Sequence, residues 1–321
     1  MAFGSGKSTL DKNSIDEFYL ADRFLNVKKI PCVINSPLRK DTHPSFSIYS
    51  KDGIHVRYKD FANGDSGSIF NLLQKLWNLN FKDMMNKISE NTIEGVVTTK
   101  VNKRRVTTER SKIECKIREW KQHDFDYWNQ FGITEVWLKY AEVYPVSHVF
   151  VTKPEGERYT FVADKYAYAY VEHKENNTAV KIYQPYNTRQ CKWLSGFDGS
   201  VISLWTKIPE TGDKVVICSS VKDALCLWCN LGIPAIAVQG EGYAISDTAK
   251  DNLLSRYNKI YILFDNDEAG IQDGIKLSQR TGFTNLKLPK VNDAKDIAEL
   301  YQKTNKQEFR TIILKLFENE V

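Results

Sequence analysis

The chain lacks any apolar run approaching the roughly 20 residues that a membrane-spanning helix needs, so the sequence excludes a helical membrane protein. It also lacks a cysteine framework. Its six cysteines, at 32, 115, 191, 218, 226 and 229, follow no regular spacing. Cys226 and Cys229 form a lone C-x-x-C on an expected helix, with no second pair to complete a zinc site, and read as small apolar core residues. Without a disulfide scaffold or a signal-peptide pattern, reduced thiols and a cytoplasmic location are expected. Strong charge of one sign is missing as well. A net charge of +5 is weak evidence for a nucleic-acid partner, so a local basic patch would have to supply it. Near the start, Gly4-Ser5-Gly6-Lys7-Ser8-Thr9 falls short of a phosphate-binding P-loop. The glycine required five places before Gly6 is Met1, and no strand precedes it, so the stretch reads as a flexible leader.

What is present is ordinary for a globular protein: 42% hydrophobic and 26% charged residues, in a chain of 321 that suffices for two or three domains. Sixteen Tyr, sixteen Phe and seven Trp are mostly core material, with a few available to stack on bases. The informative stretch runs from 214 to 296. Tyr261-Ile262-Leu263-Phe264 reads as a strand buried on both faces of a parallel sheet, and Asp265-Asn266-Asp267-Glu268-Ala269-Gly270 follows at its carboxyl end. Open α/β sheets place ligands at that end. Alternation along an extended chain lets Asp265 and Asp267 face one hard cation. The bland alternative is a helix cap or solvated turn.

The surroundings favour a site. Lys214 to Cys218 is another buried strand, ended by Ser219-Ser220, and a helix begins with Lys222-Asp223-Ala224-Leu225. Pro234 to Val238 is a third strand, with Glu241 just past its end. Leu286-Lys287-Leu288-Pro289 leads into Asp293-Ala294-Lys295-Asp296-Ile297-Ala298-Glu299-Leu300. Asp223, Glu241, Asp265, Asp267 and Asp296 thus gather with lysines near one sheet edge, a pattern suited to divalent metal and phosphate.

This order of strands with K-D-A-L, D-N-D-E-A-G and K-D-I-A-E-L resembles the Toprim domain of topoisomerases and bacterial-type primases, and within that superfamily phage primases most of all. The resemblance implies Mg2+ (or Mn2+) on Asp265, Asp267, Glu241 and Asp296, and catalytic roles for Asp265, Asp267, Glu241 and Asp223. One departure stands out. The family carries an acid at the end of the first strand, where this chain has Ser219. Either Glu241 supplies the missing carboxylate or the site is weakened.

Earlier in the chain, Ser36-Pro37-Leu38-Arg39-Lys40-Asp41-Thr42-His43-Pro44-Ser45-Phe46-Ser47 and Gly64-Asp65-Ser66-Gly67-Ser68 resemble the β-ribbon module that binds zinc in most primases through C-x-x-H and C-x-x-C pairs. Here only Cys32 and His43 are plausible ligands, and no cysteine lies around Tyr58 to Gly64, so zinc is not expected. Arg39, Lys40, Arg57 and Lys59 suit phosphate contact, though each alone reads more often as a solvated charge.

The expected fold is an α/β Toprim domain, a parallel sheet flanked by helices, preceded by an α+β basic subdomain and a small β-ribbon module. The expected domains are a leader and helix at 1–26, with Ser14 as cap, and a zinc-ribbon-like module without zinc ligands at 27–90. A linker at 91–112 carries Lys103-Arg104-Arg105. A basic subdomain follows at 113–212, then the Toprim domain at 213–305 and a terminal helix at 306–321. Residues 114–142 are expected to be helical in pieces, with Asp124 as a cap, and 167–183 a hairpin. By the same resemblance Lys181, Arg189 and Lys192, with Lys222 and Lys295, would hold nucleotide or template phosphate. The implied function is a phage-type DNA primase, making short RNA primers from ribonucleoside triphosphates on single-stranded DNA. A replicative helicase would be a separate partner, no membrane would be involved, and the site of action would be the host cytoplasm if phage-encoded. A Toprim nuclease and a non-catalytic DNA-binding accessory protein remain the alternatives.

Overall fold

The computed structural model describes residues 12, 15–42, 44–91, 110–174, 177–188, 191–197, 199–240 and 245–318. The glycine-rich leader, Ser14, His43, Lys103-Arg104-Arg105, Arg189 and Glu241 lie outside them. The chain divides into two compact units, Met1–Thr108 and Glu109–Val321.

The first unit opens with α1 (Glu17–Leu25), which starts where the Asp16 side chain accepts the backbone N–H of Phe18. Aspartate, two places beyond the expected serine, is therefore the cap. Four short strands follow, β1 (Cys32–Ile34), β2 (Phe46–Ser50), β3 (Val56–Asp60) and β4 (Ser66–Ser68), joined antiparallel in that order. Helices α2 (Ile69–Trp77) and α3 (Phe81–Asn91) complete the unit. Alternation along β3 sends Val56 and Tyr58 inward and leaves Arg57 exposed. Leu20 of α1, Ile48, Tyr58 and Leu72 share one core, so the first helix belongs to the same folding unit as the ribbon. Between β1 and β3, Arg39 donates to both carboxylate oxygens of buried Asp60 at 3.1 Å and also to Asp41 and Ser45. Ser36 donates to Asp60 at 3.2 Å.

The second unit begins with β5 (Lys112–Ile117), where helix was expected. Its residues pair along β6 (Val143–Thr152), with Ile113 turned into the core, and the partner strand overrides a sequence with no clear period. Next come α4 (Gln122–Asn129) and α5 (Glu135–Tyr140). Asp124 is the third residue of α4 and not its cap. Its fully buried carboxylate pairs with Arg118 at 2.6 Å and accepts the backbone N–H of Lys121. Strands β7 (Arg158–Val162), β8 (Tyr168–Lys174), β9 (Asn177–Tyr183) and β10 (Trp193–Ser195) extend an antiparallel sheet ordered β10-β9-β8-β6-β5, with β7 also on β6. The expected hairpin is the β8–β9 pair, in register from Tyr168↔Tyr183 to Lys174↔Asn177.

The remainder alternates strand and helix: β11 (Gly212–Cys218), α6 (Val221–Leu231), β12 (Ala235–Ala237), α7 (Asp247–Arg256), β13 (Tyr257–Leu263), α8 (Glu268–Thr281), β14 (Thr284–Asn285), α9 (Ile297–Lys303) and α10 (Lys306–Glu318). The sheet is parallel throughout, ordered β12-β11-β13-β14. Val215 to Cys218 and Tyr261 to Leu263 are essentially inaccessible, which is why they read as continuous apolar runs. The last strand is Thr284–Asn285, two residues before the expected Leu286-Lys287-Leu288. The leucines there are buried in the core; the Leu286 N–H still donates to the Ile262 carbonyl at 2.8 Å, but the register with β13 ends at Asn285. The α+β half and the parallel sheet share a core in which Trp128, Tyr168 and Tyr170 join Val216, Ile262 and Leu300. Among the described residues no helix is long and apolar enough to cross a membrane.

Candidate metal and phosphate site

The carboxyl ends of β11 and β13 lie side by side, Cys218 in register with Leu263, so Ser219 and Asp265 emerge together. The Ser219 hydroxyl donates to Asp265 Oδ1 at 2.6 Å. Burial pushes the Asp265 carboxyl above its ordinary range, and the Asp296 and Asp267 charges push the same way, while Ser219 and Lys295 oppose them. Asp267 caps α8, accepting the Gly270 N–H at 2.8 Å. Burial would raise its proton affinity too, but hydrogen bonds from Lys295 and Gly270 outweigh it and hold Asp267 below the usual carboxylate range. The Lys295 ammonium stands 2.8 Å from Asp267 and 3.7 Å from Asp265. Two carboxylates separated by one residue thus converge on a single cation.

Asp223 and Asp296 form a second layer. Asp296 caps α9, accepting the Glu299 N–H at 2.7 Å, and pairs with Lys222 at 3.2 Å. Asp223, in the first turn of α6 after the Ser220 cap, is buried; it accepts from the Ser220 hydroxyl and from the Ala298 N–H at 2.9 Å. Desolvation, then the nearby Asp296, raises its carboxyl to about 7. Lys222 feels opposing effects: burial disfavours its charge, but Asp223 and Asp296 more than restore it, so its pKa rises. Its ammonium also lies 4.9 Å from the Phe131 ring. Asp223 ties α6 to α9, and Lys222 is committed to the same seam.

The basic residues divide in two. Lys192 of the antiparallel half is exposed, and its pKa is lowered by desolvation and then by the charges of Lys222 and Lys295, with Asp296 and Asp265 opposing. Three lysines therefore share one electrostatic neighbourhood with the acids. Lys181 is held elsewhere: its ammonium donates to the Gln239 carbonyls at 3.2 and 3.3 Å and lies over the Trp193 ring, and desolvation drops its pKa to about 8. In the first unit Lys40 and Arg57 are exposed, whereas the Arg39 donors are taken by Asp60, Asp41 and Ser45 rather than left for phosphate. Arg189 and Glu241 lie outside the described residues, as does His43; Cys32 is half-buried, with burial raising its thiol pKa. Among the described residues no three Asp, Glu, His or Cys side chains are preassembled around a common point. The sequence gives no sign of Asn266 and Asn285, which line a cavity beside Asp265: Asn266, just before α8, looks like a turn residue, and Asn285 ends a two-residue strand too short to show a period.

The donor set suits a hard divalent cation. Magnesium is commonly held by one or two carboxylates with substrate phosphates and water completing its shell, and here Lys295 already marks where two carboxylates share a positive charge.

Residues 216–301 match the family model described as Toprim-like. No curated protein matches the chain in sequence. Solved structures that it resembles are primases. One is the zinc-binding and RNA polymerase domains of the Aquifex aeolicus primase, at 14% identity over 97% of this chain and 86% of that one, with a TM-score of 0.43. Another is the DnaG primase catalytic domain bound to single-stranded DNA, at 14% over 59% and 72%, TM-score 0.45. A third is the primase fragment of the bacteriophage T7 primase-helicase protein, at 12% over 89% and 99%, TM-score 0.39. With its parallel β12-β11-β13-β14 sheet, flanking helices and acid-bearing carboxyl edge, the stretch from 216 to 301 is a Toprim-like domain.

Proposed function

We propose that the protein is a DNA primase, a nucleotidyltransferase that joins ribonucleoside triphosphates into short primers on single-stranded DNA, in a phage replication setting. The observation that carries this reading is the convergence of Asp265 and Asp267 on one cation, with Lys192, Lys222 and Lys295 in the same electrostatic neighbourhood. Primer extension sets a 3′-hydroxyl against an α-phosphate and expels pyrophosphate, so the site must hold a polyanion and stabilise growing negative charge. Lys192, whose proton is loosened first by desolvation and then by Lys222 and Lys295, would regain its charge against triphosphate oxygens. Lys222, already neutralised by Asp296 and Asp223, orients the starts of α6 and α9. Asp265 and Asp267 would hold Mg2+ (or Mn2+), which supplies Lewis-acid activation of the hydroxyl and neutralisation of the leaving pyrophosphate. The exposed Lys40 and Arg57 of the first unit suit sequence-independent contact with template phosphates. A replicative helicase as a separate partner and a cytoplasmic site of action belong to the same proposal.

The test is a single gel assay, with labelled ribonucleotides, a single-stranded template and magnesium. Short labelled primers that vanish in Asp265→Asn and Asp267→Asn support the proposal. Template cleavage without primers would make the site a nuclease. Neither product would favour a DNA-binding accessory role, to which the serine at 219 would then belong.

A further inference from the structure

Among the described residues, strand β7 (Arg158–Val162) has a ladder on one side only, along β6. The Lys153 N–H donates to the Glu157 carbonyl and the Ala163 N–H to the Ser147 carbonyl, one bond beyond each end of that pairing. Ladder bonds fall on alternate residues of an antiparallel pair, and the register here is unbroken, so 157, 159, 161 and 163 face β6. Arg158, Thr160 and Val162 therefore turn their backbone N–H and C=O groups to the free edge. The other sheet ends are blunted against strand addition. β1, β4, β10, β12 and β14 are two or three residues long, and β5 carries a bulge together with Lys112 and Lys116. β7 has none of these devices: it runs for five residues with no proline, no lysine and no bulge. It also shows apolar surface on both faces, Val162 being 72% and Tyr159 40% exposed.

We propose that β7 is a self-association edge, where a second copy of the chain adds its own β7 antiparallel, about a two-fold axis through Thr160. That register sets Arg158 opposite Val162 and Thr160 opposite Thr160, and lets the outward groups form about six backbone hydrogen bonds. On the other face it sets Tyr159 against Phe161 of the second copy, a cross-strand aromatic pair that the symmetry repeats. Phe161 already packs on the small core of Ile113, Val146 and Val149, so the pairing carries that core across the axis. Lys153 fixes Tyr159 in advance, donating to its hydroxyl at 2.7 Å. The charges fit as well. Arg158, the strand's one charged residue, faces an uncharged valine and lies about 13 Å along the strands from its symmetry mate, beyond the screening length at physiological salt. An edge that complements itself in hydrogen bonding, aromatic pairing and charge selects its own copy as partner. Five residues a side are far fewer than the roughly 20–30 of a standard interface, so the dimer is weak and concentration-dependent.

Sedimentation of the full chain from about 1 µM to about 500 µM tests this, and the average mass is expected to rise from one chain towards two. Thr160→Pro removes an outward N–H at the axis while sparing the β6 ladder, and should shift the midpoint to at least about tenfold higher concentration. Val162→Lys, at a position exposed enough to leave the fold undisturbed, sets an ammonium opposite Arg158 of the second copy and should cause a similar shift. Adding Arg158→Glu to it makes that contact an ion pair and should bring the midpoint back towards that of the unaltered chain. Recovery in the double variant is specific to the antiparallel register about Thr160. A chain that stays monomeric at every concentration would overturn the proposal and leave the edge to a strand of another protein. A dimer that Val162→Lys leaves unchanged, or that the added Arg158→Glu fails to restore, would overturn it too.

Discussion

The Ser219 hydroxyl donates to Asp265 at 2.6 Å, at the strand end where the resemblance to primases leads one to expect an acid. The serine thus gives the site a donor in place of a charge. It lowers the proton affinity of Asp265 against the burial that raises it. Ser219→Ala should leave the fold intact and raise the half-saturating magnesium concentration for primer synthesis about threefold to tenfold, the effect of losing one hydrogen bond to a charged group in a partly wet site. A magnesium titration of activity checks this. Ser219→Glu should add a carboxylate and lower that concentration. If Glu241 supplies the missing acid, Glu241→Gln should lose activity as severely as Asp265→Asn.

Asp60 is fully buried and satisfied by Arg39, Ser36 and the Ala62 N–H. Asp60→Ala takes the acceptor from Ser36, the Ala62 N–H and Arg39 Nε, leaving Arg39 only Asp41 and Ser45, and should destabilise the first unit by about 3 kcal/mol. Urea unfolding followed by tryptophan fluorescence checks it through Trp77, the tryptophan of this unit's core. Arg39→Met should also destabilise, and adding Asp60→Leu to it should recover part of the loss.

Glu172, on β8, is buried and accepts the Leu204 N–H at 2.9 Å. Burial pushes its carboxyl up to about 7; the Leu204 N–H, the Ser203 hydroxyl and Lys207 oppose this, and Glu142 adds to it. Because the folded protein holds this proton more tightly than the unfolded chain, the contribution is present at low pH and is lost as pH rises from the ordinary glutamate range through about 7. Glu172→Gln should flatten that loss and stabilise the second unit at pH 8 by on the order of 1–3 kcal/mol. Denaturant midpoints at pH 5 and pH 8 for both proteins measure it.

Gly132 follows α4 with φ +70, and a Cβ there would sit 2.4 Å from Asn230 Oδ1 and 2.7 Å from the Tyr301 ring. Gly132→Ala combines left-handed strain with a clash against the Asn230 amide, which is itself held by the Phe131 carbonyl at 3.0 Å. A loss of about 2 kcal/mol or more is expected, read as a lowered thermal midpoint, with nucleotide binding at low temperature retained.

The parallel sheet was legible because its strands are buried on both faces: Val215 to Cys218 and Tyr261 to Leu263 have no polar side to confuse the pattern. Asp265, Asp267 and the α6 start followed from the ends of those runs. Lys112–Ile117 was not legible, since an edge strand takes its conformation from the partner it pairs with, and that partner lies some thirty residues away. Nor could spacing reveal that Asp223 faces the start of α9 across 75 positions and braces it. Arg39 looked like a phosphate ligand because a sequence shows its charge but not the buried carboxylate, 21 residues on, that consumes it. Asn266 and Asn285 gave no signal at all; only the cavity makes them noticeable.

The Arg39–Asp60 clasp joins the two segments on which zinc-binding relatives, by the resemblance, carry their ligands. Both of its halves are made by the ribosome within 21 residues of each other, and neither is a thiol. An arginine–carboxylate clasp forms without any change of oxidation state. The clasp therefore closes alike in a reducing or an oxidising environment.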